Sequence, residues 1–145
     1  MRFLPFLVVL TLIACNSSKD NNAQINTQSQ EDFVMYKPSE MTLHMNYMYA
    51  YNKTIRNQIL SGEIQSGFPE AFLKIYTAKL SEFKHRNQRF ENFSNEFITN
   101  QKAIYAQPDS LSLVKQYNKT INSCITCHQT ECTGPIPKIK KLLIH

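Results

Sequence analysis

Glycine is scarce, with three in 145 residues. That argues against an all-β fold with many tight turns and against Gly-rich phosphate loops. Acidic side chains are also few, 11 against 16 Lys and Arg, for a formal net charge of +5. The excess is mild. It accommodates an acidic partner or an anionic lipid surface and does not imply nucleic acid. Hydrophobic residues make up 42% of the chain, enough for one core and too little for several membrane spans. No alternating strand pattern and no internal repeat is present. The length fits one modest domain with appendages.

The amino terminus reads as an address. Arg2 forms a short positive region, and Phe3 to Ala14 is an apolar stretch too short to span a bilayer as a mature helix. It ends Leu12-Ile13-Ala14-Cys15, which resembles the bacterial lipoprotein lipobox. An ordinary secretory signal containing a cysteine is the alternative. The lipobox reading makes residues 1–14 a signal peptide and Cys15 the lipidated first residue. Acyl chains then anchor an exported, periplasmic or cell-surface protein to a membrane, at about 0.8 kcal/mol per buried methylene. Cleavage removes Arg2, so the formal charge falls from +5 to +4. Residues 15–37 are rich in Asn, Gln, Ser and Asp and read as a flexible tether.

Residues 38–134 carry four helical patterns. Ser39 is a good N-cap with Glu40 in the first turn, and Gly62 suits the residue after a helix end. Met41, Met45, Met48, Ile55 and Ile59 form a stripe whose gap Asn52 fills. Pro69 opens a shorter second helix with Phe72, Leu73, Ile75, Tyr76 and Leu80. The third carries Phe83, Phe90, Phe93, Phe97 and Ile104 and stops at Pro108. Asp109 or Ser110 caps the fourth, where Val114, Tyr117, Ile121, Cys124 and His128 alternate spacings of three and four. Gly134, Pro135 and Pro137 end it. Short links between amphipathic helices predict an all-α, antiparallel four-helix bundle.

The chemistry lies on the fourth helix. Cys124-Ile125-Thr126-Cys127-His128 is a C-x-x-C-H, the signature of covalent c-type haem attachment. Two thiols three residues apart add to the two vinyl groups on one porphyrin edge. The following imidazole then reaches the iron as proximal ligand. Attachment requires an exported compartment, which the signal peptide supplies independently. Two other readings stay open. A redox dithiol usually opens a helix after a strand. A zinc site of Cys124, Cys127, His128 and Cys132 requires the helix to unwind.

A helical bundle with this motif on its last helix resembles the class II cytochromes c, that is, cytochrome c′ and its low-spin, Met-ligated relatives. The resemblance covers Ser39 to Glu131 as architecture, and the haem motif alone is specific at residue level. It implies one covalent haem c, with Cys124 and Cys127 as thioether partners and His128 as proximal ligand. In this family the first helix crosses the distal face. The resemblance therefore makes Met45 the candidate sixth ligand and Met48 the second choice. Packing of the methionine stripe as core is the competing expectation. His44, off the stripe, is a competitor for the distal position, with a solvated histidine as the preferred reading; His85 and His145 read as surface residues. The resemblance also allows a homodimer.

Cys132 stands one turn past His128 without a partner and reads as a small buried apolar residue. Cytochrome c′ typically has a basic residue there, so this departure weakens any transfer of gas binding. Residues 135–145 form a basic tail with Lys138, Lys140 and Lys141, expected as a strand-like tail packed on the bundle. A cover for the haem edge and a dock for an acidic partner are the other readings of it. Lys53 and Arg56 are candidates for the haem propionates. No second haem motif and no peroxidase-type distal His-Arg pair is evident, which argues against an enzyme. The expected function is a membrane-anchored, mono-haem electron carrier of the cell envelope, exchanging with redox partner proteins. A haem protein binding NO or CO at an open distal site is the alternative.

Overall fold

The computed structural model describes residues 37–63, 67–106 and 109–145. The signal peptide, Cys15, Pro108 and all of the tether except Lys37 lie outside the described residues. The described chain is all-α, with no strand. No helix among the described residues is long and apolar enough to cross a membrane.

Helix α1 spans Glu40–Ser61. Ser39 caps it by accepting from the Thr42 N–H at 3.1 Å, so one orphan donor of the first turn is satisfied. Gly62 ends it at φ 76°, a left-handed conformation that glycine adopts without strain. Its buried residues, Met41, His44, Met48, Asn52 and Ile55, recur every three or four positions and form one face.

The expected second helix is instead a 3-10 segment, Glu70–Tyr76. Phe72 and Ile75 are buried at its spacing of three. Pro69 sits just before the segment rather than in its first turn, and Leu80 falls outside it. The cause is tertiary. The Lys79 carbonyl accepts from the Met41 N–H at 2.9 Å, and the Lys79 N–H donates to Glu40 Oε2 at 2.8 Å. Backbone committed to the open end of α1 is unavailable for another helical turn.

Helix α2 spans Gln88–Ile104 and begins after the sequence expectation. Asn87 caps it, accepting from the Phe90 N–H at 2.9 Å. Phe83 is therefore outside the helix, with 91% of its surface exposed. Helix α3 spans Ser110–Glu131, and Asp109 accepts from the Ser112 N–H at 2.9 Å. A short helix α4, Ile136–Lys140, replaces the expected strand-like tail. Ile139 and Leu142, three apart, are buried there. The Asn118 side chain of α3 takes both the Ile144 N–H and the Ile144 carbonyl, at 2.9 and 2.8 Å. The tail is thereby laid along α3.

Two apolar clusters make the core. One joins Met41 and Met48 to Phe72, Phe90 and Phe97. The other joins Ile55 and Ile104 to Tyr117, Ile121, Ile139 and Leu142. Cys124 packs against both. The fully buried Tyr117 donates its hydroxyl to the Asn52 carbonyl at 3.0 Å, which ties α3 to α1.

Candidate functional site

A cavity of about 490 Å³ lies among α1, α3, α4 and the segment joining the 3-10 turn to α2. That is the size range of small-molecule and cofactor sites. Met41, Met45 and Met48 line it from α1. Cys124, Cys127 and His128 line it from α3. Their i, i+3, i+4 spacing sets them on one helix face. Ile139 and Leu142 contribute from the tail, and Leu80, Phe83 and Lys84 from the joining segment. The fold thus gathers the C-x-x-C-H residues and the methionine stripe around one space.

The His128 ring is oriented by its own chain. Nδ1 lies 2.8 Å from the Cys132 carbonyl oxygen. A carbonyl only accepts, so Nδ1 carries the proton and the Nε2 lone pair is available to a metal. The Cys124 thiol contacts the Thr120 carbonyl at 3.5 Å. Burial, with a smaller contribution from Cys127, pushes the Cys124 thiol up to about 12. Burial, reinforced by Glu131, pushes Cys127 up to about 11. A redox-active dithiol needs the opposite, a lowered thiol pKa. Helix α3 runs unbroken through the motif. Among the described residues no group of three or more His, Cys, Asp or Glu gathers as metal ligands, so the four-ligand zinc arrangement is not assembled.

Met41 and Met48 are buried, whereas Met45 is half-buried. His44 departs from the expectation of a solvated side chain. It is buried, with Nε2 3.4 Å from the Phe72 carbonyl, and it does not line the cavity. Burial holds its pKa below the usual histidine value. His85 and His145 are exposed, as expected, and His85 borders the cavity. Cys132 is exposed rather than buried: it stands just past the end of α3, at the rim of the cavity.

Lys53 and Arg56 do not line the cavity; Arg56 Nε donates to the Leu143 carbonyl at 3.4 Å. Lys84 and Lys138 are the ammonium groups that do. Lys84 Nζ donates to the Glu131 carbonyl at 2.7 Å, on the negative end of the α3 dipole. Lys138 Nζ sits 4.3 Å from the centre of the Tyr49 ring, a cation–π contact. The basic run at 138–141 was a visible signal for Lys138. Lys84 had none, since its position depends on how the joining segment crosses to α3. No protein-family model matches the chain, and neither a curated protein nor a solved structure matches it.

Proposed function

We propose that the chain is a membrane-anchored, mono-haem c-type cytochrome that carries electrons in the cell envelope. One observation carries this reading: Cys124, Cys127 and His128 line the same apolar-walled cavity as the methionines of α1. A bundle of cytochrome c′ type is part of the proposal, with the 3-10 segment standing in the second helix position.

These residues fit the group. Cys124 and Cys127 would hold the haem through two thioether bonds, each made by adding the S–H across a vinyl C=C with no net oxidation. His128 presents Nε2 as proximal ligand, held in the needed tautomer by the Cys132 carbonyl. Met45, and Met48 after it, offers a thioether as sixth ligand. The mainly apolar walls would give the iron a low-dielectric surround, which favours its less charged state. When bound, the haem supplies the one-electron couple. Acyl chains on Cys15 restrict exchange to redox partners at the membrane surface, and a homodimer is compatible with this role.

Absorption spectra of the haem-loaded chain, ferric and ferrous, test the reading. Sharp low-spin bands in both states are expected from His–Met ligation. Broad high-spin bands would replace the carrier with a protein binding NO or CO at an open distal site.

A further inference from the structure

Among the described residues, the cavity is bordered by three side chains of fixed charge: Lys84, Glu131 and Lys138. Two of them are already matched. Glu131 Oε1 pairs with Arg89 Nε at 3.0 Å, and the Glu131 carbonyl takes the Lys84 ammonium at 2.7 Å. Lys138 is different. Among the described residues it has no ion pair and no side-chain hydrogen bond, and its Nζ rests over the Tyr49 ring. Its backbone is fixed, because Ile139 and Leu142 are buried in the core beside it, while Lys138 itself is exposed.

A haem is apolar over both faces and carries two propionate carboxylates on the edge opposite its two vinyl groups. An apolar cavity strands such charges unless a cation or water meets them. Thioethers at Cys124 and Cys127 set the vinyl edge against α3. Lys84 is tied to that same side, since Glu131 stands one turn past Cys127 and three residues past His128. Lys138 instead reaches to Tyr49, on the α1 wall of the cavity. A ring face is a weak partner for an ammonium, whose three N–H donors suit a carboxylate better.

We propose that Lys138 binds a propionate carboxylate of the haem and leaves the Tyr49 ring to do so. The inference rests on the haem reading above and adds to it the residue that receives the carboxylate edge. Helix α4 then does more than cover α3. Its buried Ile139 and Leu142 hold the backbone in place, and its exposed lysine supplies the cation that an anionic edge needs.

The test uses the full haem-loaded chain. Its crystal structure should show Lys138 Nζ within hydrogen-bond distance of a propionate oxygen and off the Tyr49 ring. Haem labelled with carbon-13 at the propionate carboxyls reads the same pairing in solution by NMR. An adjacent cation favours the ionised carboxyl, so in Lys138→Gln one carboxyl should titrate about one pH unit or more higher. Lys138→Arg should restore the original titration, and Lys84→Gln should leave both carboxyls in place. Propionates paired with Lys84 or with water alone, or a titration that Lys138→Gln does not move, overturn the inference while the haem reading stands. A chain that takes up no haem overturns both.

Discussion

His128 and Cys132 are joined twice. The Cys132 N–H donates to the His128 carbonyl at 3.1 Å, and His128 Nδ1 lies 2.8 Å from the Cys132 carbonyl oxygen. Both bonds use the Cys132 backbone, and the thiol takes part in neither. Cys132→Ala should therefore leave the absorption spectrum of the loaded chain unchanged. His128→Gln should remove the proximal ligand and collapse the low-spin bands. A shifted spectrum in Cys132→Ala would mean that the thiol, and not the carbonyl, orients the ring.

The methionine stripe separates ligand from core by two different readouts. Met45→Ala should convert a low-spin haem to high-spin, with a smaller change in stability, because Met45 is half-buried. Met48 is 6% exposed and packs with Phe72 and Phe97. Met48→Ala should cost roughly 2–5 kcal/mol in urea unfolding while leaving the spin state alone. The reverse pattern would move the sixth ligand to Met48.

Much of this arrangement is legible in the sequence, and the rest fails for non-local reasons. Ser39, Gly62 and Asp109 act as caps because capping is chemistry within four residues. The face of α3 bearing Cys124, Cys127 and His128 follows from spacing alone. His44 could not be read the same way, since the carbonyl it meets belongs to Phe72, 28 residues on. The second helix failed for a similar reason: Lys79 is drawn to the open end of α1. The seven-residue spacing from Phe83 to Phe90 imitates a helical face and so extends the third helix too far back. Asn87, a ready cap, lies between them and resets the start. The tail was readable in principle, for Ile136, Ile139 and Leu142 stand three apart after a proline.

Tyr117 is the bolt between α3 and α1. Its hydroxyl is fully buried and donates to the Asn52 carbonyl at 3.0 Å. Tyr117→Phe keeps the ring and strands that carbonyl. Chemical denaturation should show a loss of about 1–3 kcal/mol.

Alkaline pH should unfold the chain through its buried phenols. Burial pushes Tyr105 up to about 12 from an ordinary 10.0, and it raises Tyr117 as well. Above pH 10 the unfolded chain gives up these protons while the native chain keeps them. The native state then binds more protons, so stability falls as pH rises through this window. Thermal midpoints of the haem-loaded chain, in which Cys124 and Cys127 would be thioethers with no proton to lose, should show the decline beginning near pH 10, with Tyr105→Phe delaying it. An unchanged profile in that variant would place the alkaline transition elsewhere.

The central claim is covalent haem at Cys124 and Cys127. The most direct measurement is the intact mass, under denaturing conditions, of the full chain exported together with haem maturation machinery. The account predicts one haem per chain that survives denaturation and is lost in the Cys124→Ser, Cys127→Ser double variant. A polypeptide of unmodified mass, or a haem that denaturant extracts, would contradict it.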